Sequence, residues 1–394
     1  MDPYWSAMWD GPRAAHWVSQ KTAARHRDLG GKLSRIPSGG PVQFDDPRLR
    51  REHELSVLGA LAMWRTASTE QIGALTGFPA WASKPSHLPL AGQLLFRAGV
   101  IQRGLLGSAR DEMPLVLRPE TRGNFGRLSD LLSMRDLLAV TAGTPWGSGS
   151  QFDRHNLIAT ELGLRIAQWC PGAASVVGEL LSRVKMMVPD IGAGNSRAGD
   201  LTIVRKDGLR IVVEITASTG QSAANKIERW AQALVEDKSG SLVVLFVETA
   251  HPDEANTTSN YLRNKILAAA RSDIDMVAAK VLNRMFTVRW DDWFPEPGRV
   301  SPDFPVLPAV SLSGDGGRVD LLDPQSQGPG QVDRAEALTF LSASHGLLGV
   351  PYALRNPQRA GEIDAFATDL VRRASGLVDD FRPPAVRPNR RRAS

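Results

Sequence analysis

Cysteine is all but missing from this chain, with Cys170 alone among 394 residues. An internal disulfide and a Cys-rich zinc site are therefore excluded, and a single thiol fits a reducing compartment. Long apolar runs are missing as well. None approaches the roughly 20 residues needed to cross a bilayer, and the longest, 242–247, has the length of one buried strand. Arg13, His16, Lys21, Arg25 and Arg27 interrupt the first residues, so these do not read as a secretory signal. Together these absences predict a cytoplasmic protein with no membrane partner. Several catalytic signatures are also lacking: a glycine-rich phosphate loop ending in Lys-Ser/Thr, a G-x-S-x-G elbow, an H-E-x-x-H pair and a relaxase histidine cluster. ATP motors, α/β-hydrolases, zincins and nicking relaxases are ranked down accordingly.

Acidic residues are absent from the last 13 positions, where Arg382, Arg387, Arg390, Arg391 and Arg392 account for the whole formal charge of +5. A second basic stretch, 11–51, sets nine Lys/Arg against Asp28, Asp45 and Asp46. Two basic arms on a near-neutral body suit a partner that presents a phosphate backbone. The hydrophobic fraction of 42% supplies material for substantial cores, and the length allows two domains.

Along the chain, residues 1–48 read as a basic arm, although Trp5, Trp9 and Trp17 are too many aromatics for a pure linker. Leu55, Leu58, Leu61 and Ala62 recur at helical spacing. Ser68 or Thr69 can cap a second helix that Gly77 stops, and a third helix covers about 90–98. A hairpin follows, with strands at 100–103 and 115–117. Three helices and a hairpin over 49–118 is the winged-helix order, in which the third helix is available to the major groove. Lys84, Arg97, Arg103 and Arg110 are the candidate phosphate contacts there. Winged helices also serve as protein-docking modules, which keeps a non-catalytic structural role open. Residues 119–150 read as a connector holding one helix at 128–139. Over 151–294 the order is helix, three strands with a turn at Lys206-Asp207-Gly208, helix, strand, helix, strand. Residues 295–331, rich in Pro, Gly, Ser and Asp, read as a linker. Two helices, 334–343 and 362–374, are expected within 332–380, before the basic tail 381–394.

One stretch carries candidate chemistry. Strand periodicity puts Glu214 and Thr216 on one face, and a hairpin turning at Asp207-Gly208 brings Asp200 or Thr202 opposite Glu214. Glu214 interrupts an otherwise apolar strand, and a lone carboxylate there needs a partner. Two converging carboxylates are hard oxygen ligands suited to Mg or Mn. Lys226 and Trp230 share one face of the next helix at i, i+4. His155 could contact phosphate, and Glu161 could add a water-mediated ligand.

This stretch resembles the PD-(D/E)xK nuclease motif. Glu214 matches its acidic member. Asp200 matches its first Asp by strand position and Asp190 by the Pro-Asp dipeptide; Asp200 is preferred, because the loop 191–199 would otherwise intrude. Thr216 stands where the motif has lysine, and Lys226 offers a replacement from the helix. With Thr69-Glu70-Gln71-Ile72 and Leu94-Leu95-Phe96-Arg97-Ala98-Gly99-Val100-Ile101, about residues 50–290 are similar to replication-relaxation family proteins of plasmids and other mobile elements. The resemblance implies an α/β protein with an N-terminal winged helix-turn-helix, a restriction-endonuclease-like mixed-sheet core and C-terminal helices. It implies DNA binding in plasmid replication, transfer or its control, with another replication or transfer protein as a conceivable partner and a homodimer left open. The alternative it carries is a divergent Mg- or Mn-dependent deoxyribonuclease using Asp200, Glu214, Lys226, Thr216 and Glu161.

Overall fold

The computed structural model describes residues 15–28, 51–83, 86–105, 115–120, 125–144, 146, 153–184, 198–216, 219–249, 255–296, 299–313, 316–326, 344 and 347–355. Over these residues the chain is mixed α/β, with two sheets and thirteen α-helices.

The first sheet is four-stranded and antiparallel, in the order β1-β3-β4-β2. Its elements run β1 (His16–Val18), α1 (Gln20–Asp28), α2 (Arg51–Trp64), β2 (Ala67–Ser68), α3 (Thr69–Thr76), α4 (Ala80–Ser83), α5 (Leu90–Arg97), β3 (Ile101–Leu105) and β4 (Val116–Pro119). Local chemistry sets the ends of α3. The Ser68 hydroxyl accepts from the Gln71 amide while the Gln71 side chain accepts from the Ser68 amide, a reciprocal capping box. Gly77 ends the helix at φ +77°, and a Cβ there would also sit 2.6 Å from the Tyr352 ring. Glycine is needed twice over at that position.

Residues 15–28, read from sequence as part of an arm, belong to the body instead. Trp17 lies opposite Gly104 in the β1–β3 pairing, and a Cβ on Gly104 would approach the indole to 2.8 Å. The Arg118 guanidinium covers the same indole at 4.1 Å. An aromatic surplus that a linker could not use is thus spent on docking.

The connector holds α6 (Phe125–Leu131) and α7 (Met134–Thr141) rather than one helix, because Ser133 takes extended backbone and caps α7 by accepting from the Asp136 amide. There follow α8 (Asp153–Trp169), β5 (Ala173–Gly178), β6 (Leu201–Arg205), β7 (Arg210–Thr216), α9 (Gln221–Glu236), β8 (Leu242–Glu248), α10 (Ala255–Ala269), α11 (Ile274–Ala278), β9 (Met285–Arg289) and α12 (Trp290–Trp293). The last helix expected within 151–294 is likewise split, with Asp273 capping α11 by accepting from the Met276 amide.

The chain continues with β10 (Pro308–Ser311), β11 (Arg318–Asp320) and, further on, α13 (Tyr352–Arg355). The second sheet has the order β11-β10-β9-β8-β7-β6-β5; β7, β8 and β9 are parallel, and all other pairs are antiparallel. Residues 295–331 are therefore not simply a linker. They add two strands to this sheet and bury Phe304, Leu307, Leu321 and Leu322. The strands are only four and three residues long, and β10 starts at a proline, which hides them from periodicity. The helices expected at 334–343 and 362–374 lie outside the described residues.

The two sheets share one hydrophobic core. Trp64 at the end of α2 is its keystone: the indole packs where a Cβ on Gly163 of α8 would lie 2.2 Å away, and one on Gly178 of β5 would lie 2.9 Å away. Its Nε1 donates to the Gly349 carbonyl at 2.8 Å. Gly349 and Leu348 in turn lie against Met63 and Gly59 of α2. Among the described residues, no helix is long and apolar enough to cross a membrane.

Candidate functional site

The β6–β7 hairpin builds the site from its turn outward. Lys206 and Asp207 form the turn, and Gly208 takes φ +100°. The turn sets the register, pairing Thr202 with Val212 and Leu201 with Val213. One step further the Asp200 amide donates to the Val213 carbonyl, which leaves Asp200 beside Glu214. Of the two residues the sequence offered opposite Glu214, the structure selects Asp200. Asp190 lies outside the described residues.

Both carboxylates are fully engaged. Asp200 Oδ2 accepts from the Ile215 amide at 2.7 Å, and Oδ1 pairs with His155 Nε2 at 2.8 Å. Glu214 Oε2 accepts from Lys226 Nζ at 2.5 Å, and Oε1 from Trp230 Nε1 at 2.6 Å. Lys226 and Trp230 sit one turn apart on α9, so one face of that helix grips both oxygens. Glu214 is completely buried. Burial pushes its pKa up, Lys226 opposes that, the Asp200 charge adds to it, and the net direction is upward. For Asp200 burial acts the same way, but the His155 and Lys226 charges and the His155 and Ile215 hydrogen bonds outweigh it. Its carboxyl is held well below the usual range. Burial disfavours the His155 cation, yet the Asp200 charge and hydrogen bond prevail and raise its pKa.

Thr216 occupies the position where a nuclease motif has lysine. It is buried and lies in register with Glu248, at the carboxyl end of the parallel strands. Lys226 reaches Glu214 from α9, as its helical position implied. Glu161 does not join the site. Six residues beyond His155 on α8, it lies about 120° around the helix, where Gln71 Nε2 of α3 and Arg165 Nε donate to it at 3.1 and 3.0 Å. It ties a helix of each unit together, away from Asp200 and Glu214.

The carboxylate oxygens already have partners within the protein. All four carboxylate oxygens of Asp200 and Glu214 accept from protein donors. Among the described residues no group of three or more His, Cys, Asp or Glu is arranged to hold a metal ion.

Of the candidate phosphate contacts, Arg97 lies on α5 and Arg103 on β3, where it packs on Phe96. The Arg103 guanidinium stands 5.2 Å from that ring's centroid, and burial lowers its pKa. Arg97 has a buried Nε without a hydrogen-bond partner. Neither arginine has a carboxylate partner among the described residues. Lys84, Arg110, Arg387, Arg390, Arg391 and Arg392 lie outside them.

Sequence reasoning missed Asp153, the buried first residue of α8. Its Oδ2 accepts from the Ala15 amide and Trp17 Nε1 at 2.9 and 2.8 Å, and Arg118 stands 3.7 Å from Oδ1. The available signal was an acid in a helix first turn, which by itself suggests only a favourable dipole interaction. Comparison with known proteins adds nothing to this geometry: no family model, curated protein or solved structure matches the chain.

Proposed function

We propose that this protein binds duplex DNA and serves a mobile genetic element in replication, transfer or the control of either. On this reading residues 51–119 are a winged-helix module and the seven-stranded unit is a restriction-endonuclease-like core. The observation that carries it is the pair Arg97 on α5 and Arg103 on β3, each partly buried and with no carboxylate partner among the described residues. A desolvated guanidinium without an anion is poised to meet one, and phosphate is the anion a winged helix meets. The test is duplex affinity as a function of salt. Each phosphate contact contributes about 0.9 to the slope of log K against log salt, so Arg97→Gln/Arg103→Gln should lower that slope by about 1.8. Failure of the wild type to bind duplex at low salt would sink the proposal.

The meeting of Asp200, Glu214 and Lys226 favours a second reading, a divergent Mg- or Mn-dependent deoxyribonuclease. It requires the two carboxylates to take a metal ion beside the donors they now hold, or to exchange some of them for it. Cleavage of supercoiled, linear or single-stranded DNA that needs metal and disappears in Glu214→Ala and Lys226→Ala would support it. Cleavage persisting in Glu214→Ala would refute it.

A further inference from the structure

In the group of Asp200, Glu214, Lys226 and His155 each acid is paired with a cationic or imidazole donor whose side chain is the more exposed of the two. Lys226 and His155 keep 27% and 25% of their side chains exposed, against 1% for Glu214 and 15% for Asp200. The carboxylates are therefore the deeper members of the group, and the Lys226 and His155 side chains the more exposed ones. The donors come from two different helices, α9 and α8, so the arrangement is a tertiary construction and not a helix-surface pair. Lys226 also acts electrostatically on Asp200 and His155, which places its charge within reach of the whole group.

Burying two carboxylates is costly, and an ion pair of this depth rarely improves on apolar packing as a source of stability. What the arrangement does achieve is orientation. Glu214 fixes the Lys226 ammonium and Asp200 fixes the His155 ring, so both donors are held in place before any ligand arrives and lose little freedom on binding one.

We infer that this group is a metal-free phosphate grip: Lys226 Nζ and the His155 ring hold a backbone phosphate of bound DNA, with Asp200 and Glu214 serving as their anchors rather than as metal ligands. The inference rests on the DNA-binding reading and adds a second contact surface on the core unit. The Lys226 and His155 side chains are more exposed than the carboxylates they pair with, so they are the members of the group an arriving phosphate would meet.

The experiment uses the full chain and duplex DNA in chelator, comparing wild type with Glu214→Gln/Lys226→Met. That double variant removes one charge of each sign, so the net charge and long-range field of the protein stay as they were. It also leaves no buried carboxylate without its cation, and a melting curve verifies the fold. The expected result is a salt slope smaller by about 0.9, the equivalent of one phosphate. A companion double variant, Asp200→Asn/His155→Asn, should weaken binding as well. Titration of wild type with Mg²⁺ or Mn²⁺ alone should leave its melting temperature unchanged. The inference is overturned if the Glu214→Gln/Lys226→Met variant keeps the wild-type slope and affinity, which makes the group a structural ion pair. It is equally overturned if Mg²⁺ or Mn²⁺ raises the melting temperature of wild type but not of that variant, which makes it a metal centre. In either case wild type still binds duplex through Arg97 and Arg103, whereas loss of the DNA-binding reading shows as no wild-type binding at all.

Discussion

Removing Lys226 should expose how much the fold depends on its pairing with Glu214. Glu214 is fully buried, its Oε2 lies 2.5 Å from Lys226 Nζ, and its Oε1 accepts from the neutral indole of Trp230. Lys226→Met keeps most of the side-chain volume and deletes the charge. Breaking a buried ion pair from one side costs roughly 3–5 kcal/mol, because the remaining charge is left in a low-dielectric interior. Lys226 is about a quarter exposed, and water can partly replace it, so the lower end, about 3 kcal/mol, is expected. At about 2–4 °C per kcal/mol for a unit of this size, the melting temperature should drop by about 6–12 °C. Glu214→Gln in the Lys226→Met background removes the stranded charge and should recover most of that loss. The assay is calorimetric or chemical unfolding of the four members of the cycle: wild type, both single variants and the double. Two results would refute the reasoning: a neutral Lys226→Met, or a double variant no more stable than Lys226→Met alone. Either would mean that Glu214 does not lean on Lys226.

Three further outcomes are expected. Glu248 is pushed up to about 7 from 4.5, chiefly by burial; its folded pKa exceeds its unfolded one, so stability should fall as pH rises between those values and level off above. The fall is at most about 3 kcal/mol, it should vanish in Glu248→Gln, and a wild-type profile flat over that window would contradict it. Gly163→Ala places a methyl 2.2 Å from the Trp64 ring, which the Gly349 hydrogen bond restrains. Overpacking outweighs the helix-propensity gain, for a net cost of about 2 kcal/mol, and Trp64→Phe in that background should regain part of it in urea unfolding. Trp17→Ala strips the indole from Gly104, Arg118 and Asp153, so hydrogen exchange at the β1–β3 pairing should accelerate, while unchanged protection would show that β1 is not held by its tryptophan.

Much of this architecture is written in short-range chemistry. Ser68 and Gly77 bound α3 because a hydroxyl cap and a left-handed glycine act within a few residues. The Lys206-Asp207-Gly208 turn decides the β6–β7 register, and with it the meeting of Asp200 and Glu214, since a hairpin's pairing is counted from its turn. Lys226 and Trp230 were readable as one helical face, so their joint grip on Glu214 needed only the crossover from β7 to α9. Other features depend on residues far apart in sequence. Nothing local distinguishes Glu161 from His155 on α8, yet one is captured by Gln71 and the other by Asp200. Residues 295–331 have a linker's composition, and only the free edge of β9 turns them into strands. Trp64, Gly163 and Gly178 join two sequence-defined domains into one core. Turns, caps and helical faces are set by forces acting over a few residues. Which face meets which, and which carboxylate finds which cation, is settled only when distant apolar surfaces leave water together.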